Sequence, residues 1–473
     1  MNSNLRVSVS FPACPLATKN EGWAGILWRR VATQGQQYSD IFAPPVLALI
    51  VCLAPPALRA QAIDQYLDTT IPGYNTAPGV TVASREHPEY DPSGVRVGGF
   101  TLLPTLDESV GYDDNVTGTG DPHGSVLLDT SARLDAINQM SDGSLGASVS
   151  VDNAEYPNQS SQSYTNWTAA LGGTHDFGED TLTIGATHLN LSQTPRDLDA
   201  PELNSPIAYR VDDMRAAYRV VLSRLSLEPA FDVSWYGFDN GTVLGKTYLQ
   251  TYRDRIAYSP GVTANYEFAT RRSIVFVVRD TSADFANAVP GVPSQNYNDV
   301  STLTGVAYDV DGALSFRLLG GYEQRNFRSG AYKTISAPIL EGSVTWTPTG
   351  LTTITGTAAR YIEDSSAEAT IGYTESALRL NVDHELYRNI VLNANAGLFV
   401  DNYAQNGGSQ EYFTGGTGVT WRLNRNMRLV GDYTYSSRRS SGTTTYQPPF
   451  TLDGVFGGNY SENVFRIRLR FAL

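Results

Sequence analysis

The clearest pattern in this chain is alternation by two. In the last segment Phe465, Ile467, Leu469, Phe471 and Leu473 fall on one parity, and Arg466, Arg468 and Arg470 on the other. Successive side chains of an extended strand point to opposite faces. One face of this segment is therefore wholly apolar, and the other carries three cations. Leu225, Leu227, Phe231, Val233 and Trp235 alternate in the same way with Ser226, Glu228, Asp232 and Ser234. Leu314, Phe316, Leu318 and Tyr322 alternate with Ser315, Arg317, Glu323 and Arg325, and Val126, Leu128, Ala132, Leu134 and Ala136 with Asp129, Ser131, Arg133 and Asp135. Leu392, Ala394, Ala396, Leu398 and Val400 alternate with Asn393, Asn395 and Asp401. A soluble antiparallel sheet can alternate too, so one strand proves nothing. From Val95 onward, however, no helical stripe interrupts the pattern.

The connections separate into two classes that take turns along the chain. Short turns fall at Ser141-Asp142-Gly143, Gly178-Glu179, Ser223-Arg224, Arg271, Asp311-Gly312, Pro348-Thr349-Gly350, Arg388-Asn389 and Asn424-Arg425-Asn426. Longer polar loops fall near 115–125, 154–162, 194–208, 239–250, 285–296, 329–332, 363–372, 404–410 and 440–460. Tight periplasmic turns and longer outer loops are the asymmetry of bacterial outer-membrane barrels. The pattern predicts an all-β fold: a closed antiparallel transmembrane barrel over 95–473 of about 18 strands, or 16 if one weak hairpin is merged. An even count leaves both barrel ends on the periplasmic side. Closure meets a physical demand, because in lipid every backbone N–H and C=O must be paired within the protein. Tyr112, Trp167, Trp235, Trp346, Tyr361, Trp421 and Tyr433, near strand ends, are candidates for interfacial girdles. A propeller would show a repeat of roughly 40–50 residues, and none is seen.

Composition agrees with this reading. Only 17% of residues are charged, 41% are hydrophobic, and the mean hydropathy is −0.24. A spanning barrel has this balance because each strand shows lipid only every second residue. No stretch approaches the roughly 18 continuous apolar residues of a membrane helix. The net charge of −14 argues against nucleic acid as a partner. Lys occurs only at 19, 246 and 333, so Arg supplies nearly all the cations. Arg suits planar, bidentate contact with carboxylates or phosphates.

At the N-terminus, Arg29 and Arg30 precede an apolar stretch from Ala43 to Leu58, followed by Ala60-Gln61-Ala62. Basic, hydrophobic and small-residue segments in that order make a secretory signal. We expect 1–62 to be a signal peptide cleaved after Ala62, with a long basic region whose true start codon lies downstream of Met1. Both cysteines, Cys14 and Cys52, precede that cleavage, which excludes a disulfide scaffold or Cys-based metal site in the mature chain. A lipoprotein anchor at Cys52 is disfavoured by bulky Val51. Residues 63–94 are rich in Pro, Asp, Tyr and Gly without periodicity, and read as an irregular periplasmic arm.

The segment Arg85 to Asn115 carries Pro-Glu-Tyr-Asp-Pro (Pro88 to Pro92), Gly94, a Val-Gly-Gly-Phe step before Pro104, and Tyr-Asp-Asp-Asn (Tyr112 to Asn115). It resembles the entry segment of the outer-membrane family named Putative beta-barrel porin 2, and the Arg-x-Arg-x-Arg-Phe ending is similar to that family too. The last residue departs from the usual terminal aromatic: it is Leu473, with Phe471 two positions earlier on the same face. The resemblance implies a Gram-negative outer-membrane barrel, often found beside exopolysaccharide systems. It supplies no solute.

Chemistry of the catalytic kind finds little support. The five histidines are scattered: His87 in the arm, His123 in an outer loop beside Asp121, His175 and His384 near periplasmic turns, and His188 within a strand. A barrel hydrolase needs His with Ser or Asp at the outer rim. Asp113 and Asp114 are adjacent and so point apart. Asp197, Asp199 and Glu202 read as solvated loop acids rather than a Ca²⁺ site. No enzyme, cofactor or metal is expected.

If the apolar faces meet lipid, the interior carries Arg133, Arg215, Arg219, Arg317, Arg325, Arg360, Arg379, Arg428, Arg438, Arg466, Arg468 and Arg470. Facing them are Asp129, Asp135, Glu228, Asp232, Glu323, Asp383, Asp401 and Asp432. An Arg on the lipid side costs about 2–4 kcal/mol near the midplane, which fixes sidedness where alternation is clean. Charge rings set selectivity in an open pore, and the surplus at Arg466, Arg468 and Arg470 points to anionic solutes or acidic glycans. Two functions follow: a porin or transporter for polar or anionic solutes, linked to exopolysaccharide export, or a non-conducting barrel that docks a periplasmic secretion partner through 63–94. Expected partners are outer-membrane lipid and lipopolysaccharide, the barrel assembly machinery and periplasmic polysaccharide-export components. By its length, 440–460 is the expected inward-folded loop.

Overall fold

In the computed structural model the described residues are 81–473 without 83, 201–203, 244–245, 288–292, 311, 367–370, 405–407 and 442–457. The signal segment, both cysteines and most of the arm lie outside them.

A three-residue β1 (Val95–Val97) leads into β2 (Phe100–Asp113), β3 (Ser125–Met140), β4 (Gly143–Glu155), β5 (Tyr164–Phe177), β6 (Asp180–Gln193), β7 (Ile207–Leu222) and β8 (Leu225–Phe238). A small hairpin, β9 (Gly241–Val243) and β10 (Lys246–Tyr248), stands in the next loop. There follow β11 (Arg255–Ala269), β12 (Arg272–Phe285), β13 (Tyr297–Val310), β14 (Leu314–Phe327), β15 (Ile335–Thr349) and β16 (Thr352–Glu363). The ring is completed by β17 (Tyr373–Tyr387), β18 (Ile390–Tyr403), β19 (Ser409–Arg422), β20 (Met427–Ser441) and β21 (Tyr460–Ala472). Each barrel strand pairs antiparallel with its sequence neighbour, β8 pairs with β11 across the hairpin, and β2 pairs with β21. The sheet thus closes into an 18-strand barrel, with β1 a flap on β2.

Period-two patterning places the faces. Val110, Phe231, Tyr266, Phe276, Tyr322, Leu398, Phe465 and Ile467 are exposed on the outer wall. A continuous apolar exterior of this extent is far beyond what a water-soluble surface carries, and lipid is the solvent that suits it. The turns are as tight as the sequence indicates. Gly178 takes φ 74° between β5 and β6, where a residue without Cβ turns the chain at least cost. Gly321 lets β14 approach β13, since a Cβ there would fall 1.8 Å from the Thr302 carbonyl oxygen.

The interior is not uniformly polar. Val275 and Val277 of β12 pack with Leu303, Leu319, Ile339, Ala359 and Tyr361 of β13 to β16. Tyr361, expected in the girdle, therefore points into the barrel and is buried. The other six girdle candidates lie on the outer parity. Arg360 is the second correction. It pairs in register with Leu340 and Ser376 on the outer face, and its guanidinium donates to the Pro338 carbonyl and Ser376 Oγ.

Candidate functional site

Three levels of the lumen are built differently. At the periplasmic end the arm turns inward. The Val82 N–H donates to Thr353 Oγ1 at 2.9 Å, and Arg85 and His87 both reach Glu385 of β17, at 3.3 and 3.2 Å. Glu89 and Asp91 then pair with Arg388 and Arg428. The arm from 84 to 91 thus lies along the rim of the mouth beneath β16 to β20.

Above it runs a charge ladder. On one wall Arg470 makes a fork on Asp107 at 2.6 and 2.7 Å. Arg466 lies 3.0 Å from Asp432 and 3.7 Å from Asp129, and Arg468 lies 3.9 Å from Asp432. Arg133 is 2.8 Å from Asp135. These three arginines of β21 keep 24% to 38% of their side chains exposed on the lumen side. On a second wall Arg279 and Arg317 share Glu341 at 2.8 and 3.9 Å, and Arg215 sits between Asp213 and Asp232 at 3.5 and 3.6 Å.

The extracellular level is crossed by a strap. The loop after β6 leaves the wall and carries Arg196 inward, 2.6 Å from Asp113 of β2 and 2.7 Å from Glu462 of β21. Its second nitrogen donates to the Tyr156 hydroxyl at 3.1 Å. Arg438 of β20 donates to the carbonyls of Pro195 and Asp197 at 3.0 and 2.9 Å, and Tyr460 to that of Arg196 at 2.8 Å. Asp199 then reaches the far side of the ring. Its carboxylate accepts from the Tyr403 hydroxyl at 2.9 Å, from Ser365 Oγ at 3.1 Å and from the Ser366 N–H, and its own N–H donates to Gln410 at 3.1 Å. β18 and β19 stand nearly half-way round the ring from β6, so the strap spans the lumen. Burial pushes the Asp199 carboxyl up to about 6, against these hydrogen bonds and Arg253. Beside it, Arg325 ties Asp299 and Asp364 at 3.0 and 2.6 Å with its plane 4.0 Å from the Tyr297 ring centre, and Arg255 adds a second bond to Asp364 at 3.0 Å.

A model of the family described as Putative beta-barrel porin 2 matches residues 87–465. The chain belongs to that family. Like the family's barrels it resides in the bacterial outer membrane. Among solved structures, OccK2 (OpdF) of Pseudomonas aeruginosa is 12% identical, with 79% of this chain and 98% of that chain covered and a TM-score of 0.41. The FrpB iron transporter from Neisseria meningitidis is 8% identical, with coverage of 78% and 82% and a TM-score of 0.42. A loop-deletion form of OmpT from Vibrio cholerae is 11% identical, with coverage of 79% and 99% and a TM-score of 0.36. No curated protein matches the sequence.

Within this porin-family barrel the register places Arg133, Arg215, Arg219, Glu228, Asp232, Arg317, Glu323, Arg325, Arg379, Asp383, Arg428, Asp432, Arg466, Arg468 and Arg470 on the inner face. They do not form one site. Arg325 and Glu323 are sealed in the upper packing, Arg428 meets the arm, and the β21 trio faces the mid-lumen. Residues 194–200 of the loop after β6 run inward, whereas the expected inward loop, 440–460, falls mostly on residues 442–457, outside the described residues. Asp197 and Asp199 are part of that strap instead of solvated acids, and Glu202 lies outside the described residues. Arg196, Arg255 and Arg279 were not singled out by sequence. Arg255 had a signal, since it shares the parity opposite Ile256, Tyr258 and Val262. His188 meets Asp212 at 2.6 Å on the outer wall, away from the lumen.

Proposed function

We propose that the barrel passes small polar or anionic solutes across the outer membrane, with the β21 arginines as the wall along which they move. The observation that carries this reading is the half-open ladder. Arg466, Arg468 and Arg470 are paired to acids yet keep 24% to 38% of each side chain on the water side. Paired, partly hydrated guanidinium groups can exchange a carboxylate partner for a passing anion at lower cost than sealed ones, because less desolvation is left uncompensated when a partner leaves. The strap then narrows the outer entrance. A role beside exopolysaccharide export rests on the family resemblance alone, and co-purification with periplasmic polysaccharide-export components tests it. Planar-bilayer recording tests the pore. Arg466→Gln, Arg468→Gln and Arg470→Gln together should lower the anion-to-cation permeability ratio several-fold, and an unchanged reversal potential removes the ladder from the path.

A non-conducting docking barrel is the second reading. It is favoured by the arm tied along the periplasmic rim and the strap across the extracellular end. Electrically silent bilayers containing correctly folded protein support it.

A further inference from the structure

The anchor of the strap on β18 is chemically unusual. Asp401 of β18 is 0% exposed, and neither of its carboxylate oxygens has a hydrogen-bond partner. Its register partner is Glu375 of β17, 4% exposed, with Oε1 also unbonded. Glu363 of β16 and Asp199 of the strap face Asp401 as well. The cations in reach stand aside from it: Arg379 faces Glu375, and Arg253 faces Asp199. Tyr373 and Tyr403 bring neutral phenols to the same place, Tyr403 donating to Asp199. Four carboxylic groups thus crowd one buried corner. Among the described residues no group of three or more could hold a metal ion.

An unpaired buried carboxylate is costly enough that it takes up a proton instead. We propose that protons latch the strap: Asp401 and Glu375 are protonated when it lies against β18, and their ionisation, with that of Asp199, repels it from the wall. As regulation of the pore this rests on the conducting reading above, but the movement itself does not.

The sign follows from linkage. Asp199, in the loop, titrates at about 6 when latched and returns to the ordinary carboxyl range once released to water. The latched state therefore binds the proton more tightly. Its extra stability is complete below about pH 4 and is lost as pH rises through about 6. The strap lies down in acid and lifts towards neutrality.

Spin labels at Leu198→Cys and Arg439→Cys report strap-to-wall distance in the full chain, frozen at about pH 4.5 and pH 7.5. A single narrow distance is expected in acid. A longer population should grow by about tenfold towards neutral pH, as one-proton linkage allows per pH unit. Asp401→Asn with Glu375→Gln should keep a larger narrow population at pH 7.5 than the native chain, because only the Asp199 step remains. A distance that ignores pH in the native chain overturns the proposal, as does a strap that follows millimolar Ca²⁺ instead of protons. Conductance measured on the same samples separates the two claims. Silence at both pH values with a shifting distance removes the pore and leaves the latch. Steady conductance with a fixed distance does the reverse.

Discussion

The upper and middle lumen use the same residue to opposite ends. Arg325 and Arg438 are each 1% exposed, wrapped by carboxylates, carbonyls and aromatic rings. Arg466, Arg468 and Arg470 are partly exposed to the lumen and hold their acids at 2.6 to 3.9 Å. Burial decides the role. A sealed guanidinium has lost its water and must keep its protein partners, so it fastens loops. A hydrated one gives little when it pairs and can lend its charge to a solute. Inward-facing arginine is therefore not one class of residue, and an arginine-rich interior does not by itself describe a pore.

The largest effect should come from undoing a fastener. Arg196→Met leaves the buried Asp113 and Glu462 facing each other without their shared cation. Removing one partner from such a buried set costs about 3–5 kcal/mol. Part of that is relieved here by moving the strap. The expected outcome is a lower midpoint of denaturant unfolding in detergent together with higher conductance. Lower stability with unchanged conductance would show that the strap does not limit the path.

Sequence reasoning reached the barrel, its strand count and most of its faces because those depend on local alternation. It failed where both parities look alike. Around Arg360 the run Thr357-Ala358-Ala359-Arg360-Tyr361-Ile362 offers small or apolar residues on either side, so nothing local says which parity meets lipid. The run Ile274 to Val278 hid Arg279 in the same way, because both faces of β12 are apolar there and the inner one packs against β13 to β16. The strap was out of reach for another reason. Arg196 meets partners 83 and 266 residues away, and pairing over such separations leaves no period in a sequence. Loop length, the only cue on offer, points to 440–460, most of which lies outside the described residues. The Tyr-Asp-Asp-Asn motif was legible as a resemblance, and its Asp113 proves to be the carboxylate that receives the strap.

A smaller effect sharpens the middle of the comparison. Asp432 serves both Arg466 and Arg468, and Asp432→Asn uncovers the two cations while Asp129 stays beside Arg466. These pairs are partly hydrated, so the stability loss should be smaller than that of Arg196→Met. Selectivity should move further than stability. The reversal potential under a salt gradient is expected to shift towards anions, opposite in direction to the Arg466, Arg468 and Arg470 triple substitution. Equal shifts of the same sign would mean that the side chains act through folding rather than through charge in the path.

The smallest effect belongs to the arginine on the wrong side of the wall. Arg360 sits near the extracellular end of β16 on the outer face, bonded to Ser376 Oγ and the Pro338 carbonyl. Near an interface an outward Arg costs only about 0–1 kcal/mol, so Arg360→Leu should change stability by no more than that. Reversal potential should not move at all. Arg379 provides the matched control, since it stands on the neighbouring strand, faces inward and lies 4.7 Å from the Phe399 ring centre. Arg379→Leu should reduce anion preference where Arg360→Leu does not. A permeability change from Arg360→Leu would put that side chain in the water path and reverse the face assignment of β16, and with it the inward burial of Ala359 and Tyr361.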